Sequence, residues 1–191
     1  MPLPSLRRPA LHCPALPRRR ARAVVLAVVV GVSALLGGTP ATAISDDYPY
    51  RLDTTGTADR WGFTKRQCVS FVAWRTEQRG QSLDNGTQGW GSALTWDDAA
   101  LRLGFGVGSR PVPGSIAHWD AGEQSALYSR GSGSPNASTT AGPLGHVGYV
   151  RAVHGDGSAS IEHYNGQGDR KFAVSRVRAP RYLYVGVSPP A

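Results

Sequence analysis

Arg66-Gln67-Cys68-Val69-Ser70-Phe71-Val72-Ala73-Trp74-Arg75 opens a run with no Gly or Pro over 68–78, and Gly80 is placed to end it. The run predicts a helix. Val69, Phe71, Val72, Ala73 and Trp74 wrap most of its circumference instead of lining one stripe, the mark of a buried helix. Thr95-Trp96-Asp97-Asp98 predicts a second helix through a Thr-x-x-Asp capping pattern, running to Leu103 with Gly104 beyond. After Arg110-Pro111-Val112-Pro113-Gly114 the chain changes to short apolar runs divided by turns, at 115–119, 145–153, 158–165, 172–178 and 182–187. Helices followed by about five to six strands predict an α+β fold, with N-terminal helices packed on an antiparallel sheet.

The segment ahead of this domain decides how the charge is read. Six arginines from Arg7 to Arg22, no acidic residue, an apolar run from Ala23 to Leu36 and then Ala41-Thr42-Ala43 follow one another. That order predicts a secretory signal over 1–43. The apolar run is 14 residues long, short of the roughly 17–25 of a spanning helix; retention as an anchor is the alternative. The formal +8 belongs to this leader. All 13 acidic residues follow Ala43, where 15 of the 21 basic ones remain, a net of about +2. Nucleic-acid binding is therefore not expected, because it needs a basic stripe on the working domain.

The remaining 148 residues suit one domain with one core. They are expected as a monomer, secreted and extracellular, with no stable membrane association after cleavage. Residues 44–60 are polar and read as an N-terminal arm, and 61–191 as the domain proper. Within it, 121–143 is rich in Gly, Ser, Thr and Ala and longer than most connections. It reads as a flexible insert, or as a flap, since it delivers the chain to His146. Asn136-Ala137-Ser138 has the form of a glycosylation acceptor and is taken as chance.

Cys13 leaves with the leader, so Cys68 is a lone thiol that cannot form an internal disulfide. Chemistry is the stronger explanation for it. Its place at the start of a helix aims the positive dipole end at the sulfur, and its own N–H is free to stabilise an oxyanion. A histidine in Gly145-His146-Val147-Gly148-Tyr149-Val150 supplies the base and acid of a thiol hydrolase.

Strand geometry points to the third group. Asp156-Gly157 suits a two-residue hairpin turn, which would oppose Val150 to His163 and Gly148 to Asn165. His146, Gly148, Val150 and Ala152 then share a face with Ile161, His163 and Asn165, the face expected against the Cys68 helix, while Glu162 and Tyr164 point away. Asn165 is the expected orienting partner of His146, with His163 close by, and Glu162 qualifies only if a bulge shifts the phase. His118 reads as an ordinary partly buried histidine and His154 as a solvated turn residue. No metal-ligand spacing is present, and no metal or cofactor is expected.

Together these motifs resemble a known family. Arg66 to Arg75 looks like the nucleophile motif of CHAP domains, the cysteine, histidine-dependent amidohydrolases/peptidases. Pro113-Gly114-Ser115-Ile116-Ala117-His118-Trp119 resembles their central strand, Gly145 to Val150 their histidine motif and Tyr164-Asn165 their closing polar motif. The resemblance runs from about Trp61 to Val187. It implies a papain-like α+β fold and hydrolysis of amide bonds in peptidoglycan or its stem peptides, as an N-acetylmuramoyl-L-alanine amidase or an endopeptidase. Cys68 carries over as nucleophile and His146 as general base and acid. The family often has an acidic residue two positions before the closing Asn, where this chain has His163. That departure leaves Asn165 for the third role, with Glu162 and His163 as alternatives. Some members bind calcium, but no acidic loop supports that here. The rival readings are a non-catalytic wall-binding or interaction protein retaining the fold, which His163 favours, and an amide hydrolase acting on a non-wall substrate.

Overall fold

The glycine-free run forms a helix, α1, over Cys68–Glu77 in the computed structural model, which describes residues 45–128 and 137–191. The expected leader and Asn136 lie outside the described residues. Eight of the ten α1 residues are buried, so cover is needed on every side. Part of it comes from the arm expected to be a plain loop. Tyr48 is fully buried, with ring centroids 5.7 Å from both Phe71 and Trp74 and 4.9 Å from Tyr164. Its hydroxyl bonds Ser70, which donates to Asp59, and Asp59 also accepts the backbone N–H groups of Trp61 and Phe63, each at 2.9 Å. Full burial of one such ring contributes about 1.5–3 kcal/mol. The cluster therefore outweighs the Arg75–Glu162 ion pair (2.8 Å), whose attraction is offset by desolvation.

Two further helices follow, α2 over Asn85–Gln88 and α3 over Trp96–Arg102, the latter preceded by a 3-10 turn at Ala93–Thr95. The expected Thr95 cap is not made. The 3-10 turn supplies the entry, and the Thr95 hydroxyl donates to the Trp90 carbonyl instead (2.7 Å).

Among the described residues, eight strands form one antiparallel sheet: β1 Gly106–Gly108, β2 Ile116–Trp119, β3 Gln124–Tyr128, β4 Ala137–Thr140, β5 His146–Val153, β6 Ala159–Tyr164, β7 Phe172–Arg178 and β8 Arg181–Tyr184. Their order is β1-β8-β2-β5-β6-β7-β3-β4. The α+β class holds, but the sheet is larger than the five to six strands expected and the helices are few. The surplus comes partly from the supposed insert, whose ends are β3 and β4; β3 pairs with β7, and Leu127 and Ala141 pack on the core. Among the described residues no helix is long and apolar enough to cross a membrane.

The β5–β6 hairpin departs from the expected register twice. Its turn holds three residues, not two: His154 N donates to Ser158 O (2.8 Å), and Gly157 takes the left-handed conformation (φ 81°) that a three-residue loop needs. A bulge between Val150 and Ala152 then shifts the phase again, giving Val150↔Ile161 and Tyr149↔Glu162. Each shift alone would exchange the two faces; together they restore them. His146, Gly148, Val150, Ile161 and His163 thus share a face, while the bulge moves Ala152 off it.

The helix covers the other face. Val147, Tyr164, Ile116 and Leu183 share a core cluster with α1, whereas Val150 and Ile161 pack with Ala117, Trp119, Val177 and Tyr182 on the reverse side. The expectation that Val150 and Ile161 meet the helix fails because an apolar residue in a sheet buried on both faces does not reveal which layer it meets.

Asp156 fastens the hairpin turn. It accepts from Ser158 N (2.9 Å), Ser158 Oγ (2.7 Å) and Arg176 (2.7 Å), which hold its carboxyl down at about 2. A depressed carboxylate contributes stability that is present above the unfolded value of about 3.9 and lost as pH falls through the folded one. Asp156→Asn should therefore lower the Tm at pH 7, with the gap closing between about pH 4 and pH 2. Calorimetry showing an undiminished gap at pH 2 would refute this.

Candidate active site

Cys68, His146, His163 and Asn165 line one cleft of about 930 Å³, at the end of the sheet where β5 begins and β6 finishes. Cys68 is the first residue of α1, and its sulfur lies beside the N–H groups of Val147, Val69 and Cys68 itself. Those donors favour a thiolate, but burial is the larger effect and pushes the thiol above its ordinary value.

His146 is delivered by Gly145, at φ 72°. A Cβ there would lie 2.6 Å from the Trp119 carbonyl oxygen and 2.7 Å from the Leu94 nitrogen, so backbone closes in on both sides and only glycine fits. Trp119 pairs with His146 across β2 and β5, with ring centroids 5.7 Å apart. The Nε2 of His146 lies 2.9 Å from Nδ1 of His163, and Nε2 of His163 lies 3.0 Å from Ser175 Oγ on β7. Burial lowers both rings, His146 to about 3 and His163 to about 4, so both are neutral at pH 7.

Asn165 does not take the position expected of it. Its Nδ2 donates to Gln67 Oε1 (2.6 Å), its Oδ1 accepts from Arg170 N (2.8 Å), and Arg66 reaches the Arg170 carbonyl (3.2 Å). It thereby clamps the residue preceding Cys68. Arg66, Asn165 and Arg170 all have left-handed φ, 58–59°, so backbone strain gathers beside the candidate nucleophile. Asn165 tolerates that conformation better than most residues, a local reason for Asn here. Glu162 lies on the helix face, paired with Arg75 (2.8 Å) and Arg151 (3.1 Å), and so is removed from the third role. Ser175 was missed. Extending the shared-face argument to β7 finds it, since Ser175 opposes Ile161, two residues before His163.

The other two histidines among the described residues, His118 and His154, make structural contacts. His118 is fully buried, its Nε2 on the Ala93 carbonyl (2.7 Å) and its Nδ1 facing Arg181 (3.2 Å). Asp97, His118 and Asp120 bring potential ligand atoms within 4.8 Å of one another, but the Arg181 guanidinium already serves as their cation, 2.6 Å from Asp120 and 3.4 Å from Asp97. His154, expected in solvent, bonds Ser160 (2.8 Å).

The sequence model of the CHAP domain matches residues 58–165. The chain belongs to the CHAP domain family. This CHAP domain is similar to Staphylococcal secretory antigen ssaA2 of Staphylococcus aureus, 29% identical over 109 residues, 57% of this chain and 31% of that protein. It is also similar to Probable autolysin SsaALP of the same species, 31% identical over 103 residues, 54% and 30% of the two chains. The chain thus spans about a third of the length of the curated relatives it matches. Among solved structures, the N-acetylmuramoyl-L-alanine amidase of Staphylococcus aureus aligns with a TM-score of 0.45 at 24% identity, covering 61% of this chain and 29% of that one.

The Gly-His pair of this CHAP domain makes a direct prediction. Gly145→Ala adds about 1–3 kcal/mol of backbone strain beside two backbone contacts that cannot yield. A Tm drop of several degrees and displaced His146 resonances are expected; unchanged values for both would refute the account.

Proposed function

We propose that this chain hydrolyses amide bonds of bacterial peptidoglycan through a Cys68 thioester. The observation carrying the proposal is the meeting of a helix-initiating thiol and a half-buried imidazole in one cleft. The family, and relatives named as an autolysin and a secretory antigen, support it. His146 takes the Cys68 proton on Nδ1, the nitrogen not engaged by His163, as the sulfur attacks the carbonyl carbon. The Cys68 N–H stabilises the oxyanion. Collapse breaks the C–N bond, and His146 returns the proton to the leaving amine. Water, deprotonated by His146, then attacks the thioester, releasing a carboxylate and the thiol. His163 was the feature favouring a non-catalytic reading, and its bond to His146 supports the enzymatic one. Asn165 serves the site through Gln67. Residues 1–43 are the leader of an exported protein and 61–191 its catalytic domain.

The cleft walls narrow the substrate. Among the described residues, none of those lining it carries a formal charge; amides (Gln67, Asn85, Asn165, Gln167) and hydroxyls alternate with apolar side chains such as Phe63, Leu127 and Ile161. The Trp119 Nε1 is a buried donor without a protein partner. Such walls suit sugar, lactyl and amide groups, while a free carboxylate would lose its hydration unpaired. The segment beside the scissile bond is thus an uncharged one, a muramoyl–alanine junction or an amidated stem peptide.

Residues 44–191 should release fragments from purified peptidoglycan, and Cys68→Ala should release none, as read by mass spectrometry. On synthetic muramoyl peptides, amidated side chains should be cleaved with about tenfold higher kcat/KM than free carboxylates, the ratio for about 1.4 kcal/mol. Fragments from Cys68→Ala would end the thioester mechanism, and a preference for carboxylates would end the reading of the cleft.

A further inference from the structure

Where the family often carries an acidic residue, this chain builds a chain of neutral groups. Starting at its far end, Ser175 Oγ lies 3.0 Å from His163 Nε2, and His163 Nδ1 lies 2.9 Å from His146 Nε2. Each contact joins one donor to one acceptor, and an imidazole ring that is neutral has one of each. Only two proton arrangements satisfy both contacts. In the first, His146 Nε2–H donates to His163 Nδ1 and His163 Nε2–H donates to Ser175, leaving the His146 Nδ1 lone pair free. In the second every proton is reversed, and Nδ1 of His146 carries a hydrogen and cannot act as a base.

We propose that His163, anchored by Ser175, is the positioning residue that fixes His146 in the tautomer with a free Nδ1, so that the site rests as a neutral thiol beside a neutral imidazole. The inference rests on the proposed Cys68–His146 chemistry, but its first readout needs no substrate. The fold supports it from several sides. The face restored by the two register shifts brings β5, β6 and β7 into one row, with Ser175 diagonal to His163. Gly166 gives the ring its space: a Cβ there would lie 2.3 Å from His163 Cε1 and 2.5 Å from Nδ1. The groups around the pair are Cys68 from α1, Trp119 from β2, Ser175 from β7 and Asp169 from the loop after β6. Asp169 is the acid whose field acts on His163, and it opposes the lowering by burial without overcoming it.

A carboxylate partner would favour imidazolium at His146 and thiolate at Cys68 before substrate arrives. The neutral chain does not, so the proton moves only as the sulfur attacks. Cys68 is accordingly a slow target for general alkylating agents near neutral pH.

Long-range proton–nitrogen NMR of the imidazoles in the unmodified 44–191 protein tests the arrangement directly. Both His146 and His163 should show the Nε2–H tautomer, neutral from pH 5 to 8. An Nδ1–H tautomer or an imidazolium at His146 at pH 7 would overturn the proposal. The second measurement is the pH profile of Cys68 alkylation by iodoacetamide. His163→Glu should shift the profile to lower pH and raise the rate at pH 6 by about tenfold or more; an unshifted profile in a folded variant would also overturn it. Gly166→Ala, which keeps every functional group but displaces the ring, should lower kcat by about 10²-fold with KM little changed. Ser175→Ala should lower kcat less, and Ser175→Thr should recover it; native kcat in both Gly166→Ala and Ser175→Ala would count against the relay. Native NMR tautomers with no cleavage of any wall would instead indict the proposed function, leaving the relay standing.

Discussion

A helix that is apolar on every side has to be enclosed, and much of this structure is the enclosure of α1. One side meets Val147 and Tyr164 of the sheet, and another meets Tyr48 of the arm. Because the helix is held all round, its first residue is held too, and Cys68 projects into the cleft from a rigid element. Asn165 and Gln67 fix the approach to that residue from the strand side. The same enclosure accounts for the chemistry of the thiol: what secures the helix also dries the sulfur, and burial outweighs the three N–H groups around it.

Position along the sequence revealed much of this, and relative phase less. The Cys68 run contains its own start, stop and apolar surface, so α1 was legible almost to the residue. The strands at 145–153 and 172–178 were legible for the same reason. The phase of the β5–β6 hairpin was not, because Asp156-Gly157 fits a two-residue or a three-residue turn and a bulge at Arg151 leaves no local mark. The arm read as an extended arm or loop because two tyrosines among polar residues give no periodic signal, yet Tyr48 fills the centre of a ring cluster. The segment 121–143 looked too polar to pack, but its second strand, β4, is the edge of the sheet, where polar residues are tolerated, and β3 is held between β4 and β7.

The third partner of His146 shows how a residue type can be right for its position and serve another neighbour. Asn165 fits a closing polar motif, but its side chain turns toward Gln67 while its backbone takes a left-handed turn. His163 looked like a loss of function only against the expectation of an acid. Its meaning depends on Ser175, which lies on a strand paired through a separate turn and could be found only once β7 was in register.

The two register shifts in the hairpin bear on how this domain can change over generations. Cross-strand pairs, not the number of residues between them, hold His146 and His163 on one face. Loss of Gly155 would shorten the loop to the two-residue form that Asp156-Gly157 accepts, and loss of Arg151 would remove the bulge; neither touches the pairs Tyr149↔Glu162 and Val150↔Ile161. Single-residue gaps at the loop or the bulge should therefore drift between related chains, whereas one between His146 and Val150 or between Ile161 and His163 would turn the two imidazoles to opposite sides of the sheet and should be purged.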